Sequence, residues 1–150
     1  MAKFFDPGYI LGRSKYIDFT NMRPAAVDLV ARAFPDMKIL MAHFGNPWWD
    51  EAWSILYCNP NVYADLSGGI AFQKSMNLWK DLFAPNGRLH IGTVEKLCFA
   101  SDGTHFVPGQ SDYVPVLDFY MRLYEELKVP EELIDLINYG NIDMLTKSIK

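Results

Sequence analysis

A chain of 150 residues, half of them hydrophobic and 15% aromatic, has the composition of one globular domain with a sizeable core. Its formal net charge is -4 and its pI about 5.3, with no basic patch, which argues against a nucleic-acid partner. The opening MAKFFDPGYI lacks the apolar centre of a signal peptide, and no run approaches the ~20 apolar residues that span a bilayer. These features predict a soluble, cytoplasmic protein with no membrane contact.

Residues 1–22 show no clear period and hold Pro7, Gly8, Gly12 and Asn21, so they are predicted as a loop or extended arm leading into a single domain at 23–150. PAAVDLVARAF opens a helix with Pro24 in the first turn, where its missing N–H costs nothing; Val27, Val30, Ala31 and Phe34 mark the buried stripe. MKILMA, 37–42, is a short unbroken apolar run, which fits a strand buried on both faces of a parallel sheet. PWWDEAWSILY, 47–57, predicts the next helix, broken by Asn59-Pro60-Asn61. NVYADLS, 61–67, is the second strand, and a helix over 70–84 follows Gly68-Gly69. After the Pro85-Asn86-Gly87 turn, RLHIGTVE holds a short helical turn and KLCFAS, 96–101, the third strand.

A loop, GTHFVPGQSD, leads to a long helix at about 113–128. PEELIDLINYGNIDMLTK then gives one or two short helices, and the acidic YEELKVPEEL fits a solvated helical face. Alternation of strand and helix implies an α/β fold of parallel βαβ units with right-handed crossovers. Cys58 and Cys98, in the apolar settings ILYC and KLCFA with no CxxC, are predicted as buried reduced thiols and not as a zinc site.

In parallel α/β folds, chemistry gathers at the carboxyl ends of the strands. Here those ends carry His43, Asp65 and Asp102. An imidazole and a carboxylate can each move a proton or bind a metal, which makes His43 and Asp102 the candidate site. Each also has a plainer use: His43 as a structural hydrogen-bonder and Asp102 as the start of an Asx-turn with Gly103. Asp65 is taken as structural, capping the next helix. His105, on the loop after Asp102, is placed as a residue lining the site. His90, in GRLHIG, is read as a loop residue. Trp49 and Trp53 fit helical packing, whereas Trp48, closest to His43, is placed as an apolar wall for a small planar substrate.

ARAFPDMKILMAHFGNPWWDEAWSILYCNPNVYADLSG, followed by EKLCFASD, resembles the amidohydrolase-related family of metal-dependent hydrolases and decarboxylases. The closing ELIDLINYGNIDMLTK is similar to that family's terminal helix, and the resemblance runs from about residue 23 to 145. It implies the carboxyl-terminal part of a (β/α)8 TIM barrel, with the three strands standing for the sixth, seventh and eighth. It implies that His43 is an acid or base beside the metal, or its ligand, and that Asp102 is a metal ligand and proton acceptor. Zinc or manganese is the implied divalent ion, and a small molecule with a carbonyl, amide or carboxylate the substrate.

The chain departs from the family pattern in ways that set further expectations. It contains no His-x-His pair, which the family carries on its first strand, and it begins too late for the fifth-strand histidine. Gly103-Thr104 stands where the family often has an aromatic residue and a proline. A whole barrel takes ~250 residues, so a truncated hydrolase is expected to self-associate as a homo-oligomer or to be completed by another chain. The competing expectation is an inactive half-barrel that serves as a structural or partner-binding domain. A small flavodoxin-like sandwich is disfavoured, because Gly68-Gly69 lacks the G-x-G-x-x-G phosphate cradle.

Overall fold

Strands β1 (Ile39–Met41), β2 (Val62–Asp65) and β3 (Leu97–Cys98) form one sheet in that order. Both pairings are parallel, with Met41 opposite Ala64 and Ala64 opposite Leu97. This computed structural model describes residues 23–68, 71–102 and 113–147; the predicted arm at 1–22 and the loop carrying His105 lie outside them. All three strands fall where the apolar runs predicted, each shorter than its run. The central strand β2 is buried along its whole length, and so are both residues of β3. On β1, at the sheet edge, Leu40 is 41% exposed, so the expectation of burial on both faces fails there.

The helices are α1 (Ala25–Ala33), α2 (Trp49–Cys58), α3 (Met76–Phe83), α4 (Ile91–Val94), α5 (Tyr113–Leu127), α6 (Glu131–Asp135) and α7 (Asn141–Lys147), with a π-helical turn at Leu136–Gly140 joining the last two. The helix predicted over 70–84 begins only at Met76. Ser75 starts it by accepting the Asn77 N–H on its hydroxyl at 3.2 Å, as an N-cap does, while Ala71–Ser75 stays in turns. The core joins Met41, Val62, Ala64 and Leu97 of the sheet to Leu56, Trp79, Phe83 and Phe119 of the helices.

The sequence break Asn59-Pro60-Asn61 does more than stop α2. The Asn61 side-chain amide donates to the carbonyls of Ala31 at 3.1 Å, Phe34 at 3.2 Å and Met37 at 2.9 Å, which satisfies the frayed end of α1. Asn59 donates to the Ile55 carbonyl at 2.9 Å and to Asp28 at 2.8 Å, linking α2 to α1. Lys96, buried just before β3, sends its ammonium to the carbonyls of Leu56 and Asn59. That places a cation at the negative end of α2, although burial lowers the lysine pKa. The outward edge of β3 is covered too: Asn141 donates to the Glu95 and Leu97 carbonyls at 2.8 and 2.7 Å, and the Phe99 N–H donates to Ile137 O at 2.8 Å.

The two cysteines differ, and this corrects the sequence expectation for one of them. Cys98 is buried in β3, but Cys58, the last residue of α2, is exposed. Burial pushes the Cys98 thiol up to about 12. Iodoacetamide is therefore expected to alkylate Cys58 in the native protein and to spare Cys98 until denaturant is added; mass spectrometry of the labelled peptides checks this.

A raised acid pKa gives stability that is complete below the unfolded value and is lost as pH climbs toward the folded one. Cys98 and the buried phenols of Tyr120 and Tyr124, also raised, act in the same direction. The urea midpoint is thus expected to fall between about pH 8 and about pH 11. Asn61→Ala, which orphans carbonyls at the end of α1, is expected to cost about 2 kcal/mol in the same unfolding assay.

Candidate functional site

Because all three strands run parallel, their carboxyl ends share one edge of the sheet. Directly after β1 the chain makes a tight turn, Ala42–Gly45, in which His43 (φ 57°, ψ 24°) and Phe44 (φ 48°, ψ 40°) are both left-handed. Two consecutive bulky residues in that region cost about 1 kcal/mol or more each, so the surroundings must hold them there.

Two contacts do so. Phe44 is fully buried, with its ring edge-on to Trp79 and Phe83 at centroid distances of 6.2 and 5.2 Å. The His43 backbone N–H donates to Asp65 Oδ1 at 3.0 Å. Gly45 completes the turn with φ +60°; a Cβ there would lie 2.5 Å from Pro24 Cγ and 2.9 Å from Ala52 Cβ, so only glycine lets α1 and α2 approach it.

Asp65, the buried last residue of β2, therefore has a different structural task from the helix cap predicted for it. Its Oδ1 accepts the N–H groups of His43 and Ser67, the latter at 2.9 Å, together with the Ser67 hydroxyl. The Ser67 hydroxyl in turn lies 3.0 Å from His43 Nδ1. Sequence reasoning missed Ser67; the signal was the Asp-x-Ser spacing after a strand, where short polar side chains bond back to local backbone. Tyr120 of α5 ties the same edge together. Its hydroxyl donates to Cys98 O at 2.9 Å and accepts the Leu66 N–H at 3.0 Å.

Asp102 lies four residues beyond β3, exposed and left-handed at φ 53°. With Gly68, Phe72, Gln73, Ser101, Pro115 and Val116 it lines a cleft of ≈350 Å³. Gly68 connects this cleft to His43: at φ +91°, a Cβ on it would stand 2.7 Å from His43 Nδ1. The structure thus brings His43 and Asp102 to one end of the sheet with Gly68 as the shared neighbour. Trp48 sits half-buried at the start of α2, while His105 lies outside the described residues.

The other aromatics pack as expected for helix residues. Trp49 leans on Trp79 at 5.7 Å, and Trp53 stacks on Tyr57 at 5.3 Å. His90 precedes α4, edge-on to Trp53, with Nδ1 3.1 Å from Thr93 Oγ1.

The sequence matches the amidohydrolase family over residues 12–142. The chain belongs to the amidohydrolase family. A solved structure, an uncharacterized TIM-barrel protein of Bordetella bronchiseptica, superposes with a TM-score of 0.60 at 18% identity. The superposition covers 87% of this chain and 41% of that one, so the amidohydrolase chain has the fold of part of a barrel and spans less than half of that protein's length. No curated protein shows significant similarity to it. No helix among the described residues is long and apolar enough to cross a membrane.

Amidohydrolases typically use a divalent metal. Among the described residues no three His, Cys, Asp or Glu side chains come together in a way that holds an ion. Among the described residues His43 and Asp102 give two donor side chains, fewer than the three that a catalytic zinc site takes from protein. Gly68→Ala is expected to push the His43 ring aside and strain a left-handed backbone. The His43 ring resonances should shift in a proton–carbon NMR spectrum, with about 1–3 kcal/mol lost in urea unfolding.

Proposed function

We propose that this chain supplies the carboxyl-end edge of a hydrolase site that acts on a small molecule with a carbonyl, amide or carboxylate group. The observation that carries the proposal is that Gly68, which lines one cleft with Asp102, packs against His43, in a chain of the amidohydrolase family. In this reading His43 takes the proton from the attacking water, and Asp102 orients that water from the cleft wall. Hydrolysis is favoured over decarboxylation only because it needs no more than these two groups to move protons.

A zinc or manganese ion, if the working protein has one, needs donors beyond those that the described residues gather. That points to an assembly, either a homo-oligomer or a complex with a complementing chain. Exposed apolar side chains support it: Leu29 of α1 and Phe34 just after it are 72% and 59% exposed, and Leu40 of the edge strand β1 is 41% exposed. The second reading is an inactive partial barrel that binds a partner. It is favoured by the absence of a three-donor cluster among the described residues.

Light scattering on a sizing column, elemental analysis of the eluted protein, and hydrolysis assays on a panel of amides and lactones distinguish the two. The hydrolase proposal expects turnover by the assembled protein, and a loss of about 100-fold or more with either His43→Asn or Asp102→Asn. Turnover that both variants leave intact, or none in any assembly, sinks it in favour of the binding domain.

A further inference from the structure

Among the described residues the His43 ring hydrogen-bonds through one nitrogen. Its Nδ1 lies 3.0 Å from Ser67 Oγ, whereas Nε2 has no hydrogen-bond partner among the described residues. Which nitrogen carries the proton decides which can act as a base, and the partner at Nδ1 decides that. A serine hydroxyl has one proton to give and lone pairs to receive with. The question becomes where the Ser67 proton goes.

Asp65 answers it. Oδ1 of Asp65 accepts two backbone N–H groups, from His43 at 3.0 Å and from Ser67 at 2.9 Å. Both donors aim at its lone pairs, so this oxygen carries no proton of its own. Ser67 Oγ lies against the same oxygen in a close hydrogen bond. The proton between them must come from serine, since otherwise two sets of lone pairs would face each other. With its single proton committed to Asp65, Ser67 can only accept from His43. Nδ1 must then be the protonated nitrogen. Asp65 and Ser67 are each 4% exposed, so water does not easily displace this arrangement.

We infer that Ser67, oriented by Asp65, fixes His43 in its Nδ1–H tautomer and leaves the lone pair on Nε2. Ser67 and Asp65 are positioning residues, acting through His43. The inference deepens the hydrolase proposal and rests on it for the role of His43 as base, but the tautomer stands apart from any activity. In the proposed step a water proton moves to Nε2 while the water oxygen bonds to the carbonyl carbon and the C=O π pair moves onto the carbonyl oxygen. That pair then re-forms the C=O bond as the bond to the leaving amine or alkoxide breaks, and Nε2–H gives the proton to the leaving group. The Nδ1–H bond to Ser67 stays intact, and the Asp65 carboxylate stabilises the new imidazolium through the serine hydroxyl. Placing a hydroxyl between imidazole and carboxylate keeps the acidic group buried and away from the substrate.

The test is a two-bond proton–nitrogen correlation spectrum of the histidine rings of the 15N-labelled chain, taken where the rings are neutral. The chain has three histidines, and His43→Gln assigns the signal. The expected pattern for His43 is a protonated, pyrrole-like Nδ1 and a pyridine-like Nε2, the reverse of the tautomer that free histidine favours. Ser67→Thr should keep it, and Ser67→Ala should return it to the free-histidine pattern. A wild-type spectrum with the proton on Nε2 overturns the inference, and this spectrum alone decides even if Ser67→Ala does not fold. A Ser67→Ala spectrum identical to wild type overturns it as well. Where turnover is found, Ser67→Ala should lower kcat about 10–100-fold with little change in KM. Absence of turnover in the wild type would sink the hydrolase proposal and leave the tautomer result standing.

Discussion

One carboxylate oxygen organises the functional edge of this protein. Oδ1 of Asp65 receives the amide of His43 from the end of β1 and both the amide and the hydroxyl of Ser67 from the loop after β2. Burying a carboxylate is costly unless its lone pairs are filled, and three donors fill them. The same three bonds close the left-handed turn at His43, start the loop that reaches Gly68, and orient the imidazole. Without that oxygen, the chain after β1 would have no reason to leave the strand in a conformation unfavourable for histidine and phenylalanine.

The rest of the molecule supports that edge from two directions. On the core side, Phe44 sinks among Trp79 and Phe83, so the cost of the turn is offset by aromatic burial. Across the sheet, Tyr120 bonds to both Leu66 and Cys98 and fixes the spacing between the ends of β2 and β3. At the opposite end, Lys96 and Asn59 fasten α2, and Asn61 fastens α1. The sheet is short, but each of its strands enters and leaves through a side chain that bonds to backbone.

Much of this was legible in the sequence. The runs KILM, NVYAD and KLC announced parallel strands because consecutive apolar residues without alternation fit a sheet covered on both faces. The ends of two of these runs made His43 and Asp102 the candidates, and both stand at the carboxyl-end edge of the sheet, whereas Asp65, which closes a run in the same way, is buried. What stayed hidden depends on contacts between distant residues. Asp65 and a helix cap look alike in YADLSGG, and only the fold shows that its partner lies 22 residues upstream. Cys58 sits in an apolar stretch, yet it falls on the outer side of α2. Ser75 halted the helix extrapolated back to residue 70 because a local cap outweighs a loosely periodic apolar pattern. The sixth-to-eighth-strand assignment came from resemblance and not from any spacing.

The left-handed turn has a mechanical consequence. His43 and Phe44 are adjacent, yet one is half-buried against Gly68 and the other is locked in the core. The histidine backbone cannot swing without withdrawing a fully buried ring from between two others. Its opening is therefore coupled to core unfolding and not to loop fluctuation. The His43 amide, held on a buried carboxylate, should exchange its hydrogen with solvent on the timescale of the deepest amides of β2, even though it stands in an irregular segment beside a cleft. Rigidity at this point is inherited from the aromatic core.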